Sequence, residues 1–165
     1  MLRVCNLEKY SRLNSVEIKG VPQIRNENIL SVVNNVGRAL NYEIKKEMVD
    51  ACHRLRPDLH RPQEPASIIL KFVSRIQKDE FLEARKIKRN FCTRDLDPAC
   101  VISKPIYINQ SLSPDTRKLY AKCREFKKSN NIKYLWIKNG NIMMRKTYNS
   151  QKYIINSVAD FRNVH

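Results

Sequence analysis

Tyr134, Trp136, Lys138 and Arg145 bracket an Asn139-Gly140 pair near the C-terminal end of this chain. Asn-Gly between two strand-like runs marks a two-residue type I′ hairpin. With that turn, Lys138 faces Asn141, Trp136 faces Met143 and Tyr134 faces Arg145. Strand alternation assigns Leu135, Ile137, Ile142 and Met144 to a core face. Tyr134, Trp136, Lys138, Met143 and Arg145 then share the opposite face. Two aromatic rings beside two cations suit stacked bases and phosphates, and each stacked base is worth about 1–3 kcal/mol. The competing expectation is that the preceding helix, or the first domain, covers Trp136.

That helix carries a second group. Ser113 can cap it, Pro114 fits its first turn and Asp115 complements its positive end. Up to about Lys128, Leu119, Cys123 and Phe126 form an apolar stripe. Arg117, Arg124 and Lys128 lie opposite, flanked by Lys118 and Lys122, and Glu125 is the only acid in the helix body. Like charges at i, i+4 repel one another. A solvated face would mix signs, so this one points to phosphate contact.

The charge of the whole chain agrees. The 165 residues carry 32 Lys+Arg against 16 Asp+Glu, a formal net of +16. Residues 109–165 hold 12 basic and 3 acidic side chains, over half the excess. A dense field of one sign attracts polyanions. With 42% apolar residues the chain has enough to build a core, and its three glycines leave no glycine-rich phosphate loop.

Catalysis is not expected. There is no G-x-S-x-G, P-loop, H-E-x-x-H or zinc-deaminase pattern. Asp95 and Asp97 read as loop acids, and His53 and His60 lack a nucleophile partner. The five cysteines form no C-x-x-C pair and have no His at zinc-finger spacing, so neither metal nor cofactor is expected. They read as reduced thiols of a cytoplasmic or nuclear protein. No run of 18 apolar residues could span a membrane, and the first 14 residues lack a signal h-region.

The elements that must position these groups follow from pattern. Residues 1–14 read as a helix in which Val4, Leu7, Ser11 and Asn14 keep a 3-4-3 spacing, either a coiled-coil end or a frayed surface helix. Residues 15–21 alternate as a strand. A helix capped at Asn26 places Ile29, Val32, Val33, Val36 and Leu40 on one stripe and stops at Asn41. Strands follow at 48–54 and 66–73, separated by the Pro-rich loop 55–65. A helix at 75–90, with Ile76, Phe81, Leu82, Ala84 and Ile87 spread around it, precedes an irregular stretch and a short strand at 106–109. The predicted class is α+β: a β-α-β-β-α-β, ferredoxin-like domain over 15–110, resembling RNA-recognition motifs. A small basic α/β domain over 111–165 follows, with the hairpin, a short strand near 153–155 and a last turn capped by Ser157. In the first domain, Arg54, Arg56 and Lys71 are the candidate phosphate contacts.

Four stretches carry a family likeness: LEKYSRLNSVEIKGVP (7–22), DACHRLRP (50–57), KPIYINQSLSPDTRKLYAKCREFKK (104–128) and YLWIKNGNIMMRK (134–146). They resemble the baculovirus few-polyhedra (FP) proteins and the first-open-reading-frame proteins of insect LINE-type retrotransposons. The resemblance implies a coiled coil, an RNA-recognition-like domain and a small C-terminal domain. It implies non-sequence-specific binding of single-stranded RNA or DNA, with a chaperone role in a ribonucleoprotein. Residues 1–14 would then be the end of a coiled coil through which copies associate. Family binding positions would fall on Arg54, Arg117, Lys118, Trp136, Lys138 and Arg145. The chain departs from the usual RNA-recognition motif: Glu17, Ser67 and Ile69 stand where aromatics are expected, and only Phe72 remains. Binding is therefore expected to rest on phosphate contacts and the C-terminal domain. The alternative is a protein-interaction module whose basic face meets an acidic partner.

Overall fold

The computed structural model describes the backbone of residues 2–164 and the side chains from residue 6 to 164. The chain folds as two units, Asn14–Ser111 and a second made of Leu112 onward together with the N-terminal segment up to Leu13. Both mix helix with antiparallel sheet, an α+β arrangement.

In the first unit the elements are β1 (Ser15–Lys19), α2 (Ile29–Ala39), β2 (Val49–Arg54), β3 (Ile68–Phe72), α3 (Arg75–Ile87), a short α4 (Thr93–Leu96) and β4 (Tyr107–Gln110); α1 (Leu2–Ser11) precedes them. The strands pair antiparallel in the order β2-β3-β1-β4. Alternation sends Val16, Ile18, Ile68, Leu70, Phe72 and Ile108 into a core shared with Val33 and Val36 of α2 and Phe81 of α3. Phe72 and Phe81 meet with ring centroids 5.5 Å apart at 51°. The other sheet face carries Glu17, Lys19, Ile69, Lys71, Tyr107 and Asn109. Phe72, the one RNA-recognition aromatic retained in the sequence, is thus a core residue and not a stacking platform.

Two local expectations are corrected. The cap of α2 is Asn28, whose side chain accepts the Ser31 N–H at 3.1 Å. Asn26, the expected cap, instead takes a left-handed conformation with φ of 59°. The stretch expected to be irregular contains α4, with the Cys92 N–H donating to Asp95 at 2.9 Å. In α3 the apolar residues are spread around the helix as expected: Ile76 and Ile87 are exposed and Phe81 is buried.

The chain has three glycines, and other left-handed positions fall to asparagine: Asn26, Asn41, Asn90, Asn131 and Asn139 all have positive φ. Asn41 and Asn131 directly follow the C-caps of α2 and of the later helix α5 (Pro114–Ser129), the position where helices usually end on glycine.

The second unit contains α5 (Pro114–Ser129), β5 (Tyr134–Lys138), β6 (Asn141–Arg145), β7 (Tyr153–Ile155) and a closing 3-10 turn (Val158–Asn163). The sheet order is β5-β6-β7, all antiparallel. Leu119, Cys123 and Phe126 of α5 pack with Leu135, Ile137, Ile142, Met144 and Ile155 of the sheet. Phe126 stacks on Phe161 of the closing turn at 4.4 Å. Asp160 fastens that turn by accepting the N–H groups of Asn156 and Ser157 at 2.7 and 2.9 Å.

Candidate nucleic-acid interface

The hairpin positions the first candidate group. Asn139 and Gly140 have φ of 50° and 74°, both positive as a type I′ turn requires. The register pairs Tyr134 with Arg145, Trp136 with Met143 and Lys138 with Asn141. Beyond β6, Met143 pairs with Ile154 of β7. Trp136, Met143 and Ile154 therefore form one row across the non-core face, with the Tyr134–Arg145 row beside it. Trp136 and Tyr134 are half-buried.

An open cleft of about 370 Å³ lies at this place, lined by Lys127, Lys133, Tyr134, Leu135, Trp136, Arg145 and Lys152. Lys127 comes from the last turns of α5. The backbone N–H of Lys133 donates to Lys146 at 3.0 Å, extending the hairpin ladder one step past β5. The Arg145 guanidinium lies 4.7 Å from the Tyr134 ring centre and 5.2 Å from that of Tyr148. Its Nε is buried without a hydrogen-bond partner among the described residues.

On α5 the Ser113 hydroxyl caps the helix, accepting the Thr116 N–H at 3.3 Å and donating to the Thr116 hydroxyl at 2.9 Å. Arg117, Lys118, Lys122, Arg124 and Lys128 are all exposed. Arg124 also rests over Tyr120, 5.4 Å from its ring centre. Burial raises the Tyr120 hydroxyl pKa, with Arg124 opposing. Burial also pushes the Cys123 thiol up to about 11, so it stays protonated and serves the core.

The expected first-unit contacts stand elsewhere. Arg54 is not presented to a ligand. Its side chain is 8% exposed and ion-pairs with Glu27, which is 9% exposed. It further donates to the carbonyls of Ala66 (2.7 Å), Pro22 (2.9 Å) and Val21 (3.1 Å). This guanidinium ties the loop before α2 to the sheet. Hydrogen bonding from Arg54 holds the Glu27 carboxyl below the usual range, against the opposing pull of burial. Lys71 pairs with Asp50 at 2.7 Å. Arg56 lies exposed in the Pro-rich loop.

Ion pairing differs between residues 14–111 and the C-terminal segment. In residues 14–111, Lys19, Arg54, Arg61, Lys71, Lys78, Lys86 and Lys88 each pair with a carboxylate. In the C-terminal segment, Lys118, Lys122, Arg124, Lys127, Lys128, Lys133, Lys138, Arg145 and Lys152 have no carboxylate within 4.0 Å among the described residues.

Of the predicted residues, the cleft brings together Tyr134, Trp136 and Arg145. Lys138 lies outside its lining, at the turn end of the hairpin. Lys127, Lys133, Lys152 and Tyr148 were missed by pattern reading. Lys133 was within reach of it, being one ladder step beyond Tyr134, opposite Lys146. Lys127 sits between the faces assigned to α5, and Lys152 has no local signal because an irregular segment delivers it.

No described helix is long and apolar enough to cross a membrane, and no metal-binding cluster occurs among the described residues. No curated protein matches the chain. Over residues 113–165, the segment that builds both the α5 face and the cleft, the chain matches the family model described as baculovirus FP protein domain 2.

Proposed function

We propose that this protein binds single-stranded RNA or DNA without sequence preference, as a component or chaperone of a ribonucleoprotein, and is not an enzyme. The observation that carries the reading is the cleft: Lys127, Lys133, Arg145 and Lys152 surround Tyr134 and Trp136 with no acidic side chain in the lining. Cations that track phosphates, interleaved with rings that take bases, are the recurring means of sequence-tolerant single-strand binding. The exposed α5 cations extend the same field. On this reading the first unit, with its β2-β3-β1-β4 order, is a ferredoxin-like scaffold whose open face has no aromatic on β1 or β3, where RNA-recognition motifs stack bases, and carries Tyr107 on β4. The family likeness extends to the first-open-reading-frame proteins of LINE-type retrotransposons, and α1 is the end of a coiled coil that joins copies.

Fluorescence anisotropy with single-stranded RNA, single-stranded DNA and duplex at several salt concentrations tests this. Single strands are expected to bind more tightly than duplex, with a log K against log[salt] slope of about −0.7 per phosphate neutralised. Affinity indifferent to salt would refute it. The triple change Arg117→Glu, Arg124→Glu and Lys128→Glu should weaken binding at least tenfold. RNA binding that survives it, while an acidic protein partner is lost, would favour the interaction-module reading instead.

A further inference from the structure

We infer that the cleft takes one unstacked nucleotide, with its phosphate on Arg145 and the three lysines and its base against Trp136. This rests on the single-strand reading and adds the unit that is recognised. A volume of about 370 Å³ is at the small end of ligand sites and has room for a nucleotide. Four cations line it, and none is neutralised by a carboxylate among the described residues. That excess suits a phosphate and rejects a neutral ligand.

Arg145 is the organising group. Two tyrosine rings hold its guanidinium, so the planar fork is oriented before a ligand arrives, where a lysine would offer a mobile point charge. Its Nε–H is buried and lacks an acceptor among the described residues. A phosphate would meet the terminal nitrogens of the fork. Beside it, Trp136, the member of the Trp136–Met143–Ile154 row that lines the cleft, offers its ring to a base. Tyr148 is 73% exposed and does not line the cleft; its part is to position Arg145.

Trp136 is the only tryptophan in the chain, so its emission reports this site alone. Adenosine monophosphate and a 20-nucleotide oligoadenylate should each quench it to saturation, and inorganic phosphate should reverse the quench by the mononucleotide. Tyr148→Ala should weaken the mononucleotide about fivefold, and Tyr148→Phe should restore it. An exposed tyrosine can be truncated without opening the core, and circular dichroism of both variants verifies that. If oligoadenylate saturates by anisotropy while Trp136 emission stays unchanged, the nucleotide site is wrong and the single-strand reading stands. The site is equally refuted if millimolar mononucleotide leaves the emission unchanged, or if Tyr148→Ala binds it like the wild type. If no oligonucleotide binds at all, both readings fail.

Discussion

Arg54 and Arg145 carry the same guanidinium into opposite settings. Arg54 meets Glu27 and three carbonyls and is consumed by the fold. Arg145 meets two aromatic rings and no acid. Breaking a buried pair leaves one charge uncompensated, so Arg54→Ala should destabilise the protein by about 3–5 kcal/mol in urea unfolding. The salt slope of nucleic-acid binding, read under folding conditions, should not move. Glu27 gives this pair a pH signature. Its folded pKa lies below its unfolded value near 4.5, so its stabilisation is complete above that value and is lost as pH falls through the folded one. Asp95 behaves alike, lowered first by its hydrogen bond with Lys88 and next by the Cys92 N–H. Urea melts at decreasing pH should show stability falling below about pH 4.5, less steeply in Glu27→Gln.

At the scale of elements, the hairpin is where a two-residue turn fixes which side chains share a face. Gly140 has φ of 74°, so Gly140→Val forces a branched residue into the left-handed region at a cost of about 1–2 kcal/mol. Thermal unfolding should register that loss, and Trp136 and Arg145 should lose part of their shared alignment. The turn, its register and the N-cap of α5 were legible in the sequence because each rests on residues within a few positions of one another. Strand β1 was legible through alternation and β3 through its branched residues. What escaped is what distant neighbours decide. Arg54 looked available because nothing local announces that Glu27, far along the chain, will meet it. Phe72 looked like a surface aromatic until the pleat placed it beside Phe81. Lys127, Lys133 and Lys152 converge only after α5, the hairpin and an irregular segment have folded together.

Across the whole molecule, charge is distributed by pairing as much as by number. Residues 14–111 place seven of their 17 cations on carboxylates, while Lys127, Lys133, Arg145 and Lys152 of the cleft and Lys118, Lys122, Arg124 and Lys128 of α5 have no carboxylate within 4.0 Å among the described residues. Replacing Lys127, Lys133 and Lys152 together with Gln should therefore reduce the salt slope by about 2. Replacing Lys71 and Lys86, already paired, should leave it unchanged in the same titrations. The asparagines at left-handed positions bear on something different, the tolerance of this chain to substitution. At an ordinary site alanine is the mild replacement and glycine the harsh one. At Asn41 and Asn131 the order reverses, because a left-handed L-residue costs about 1–2 kcal/mol, whereas the entropy of an added glycine costs about 0.5–1 kcal/mol. A saturation scan scored by melting temperature should find glycine the best-accepted residue there, and proline, valine and isoleucine the worst. The stops of α2 and α5 would then be the places where this glycine-poor chain has stability still to gain.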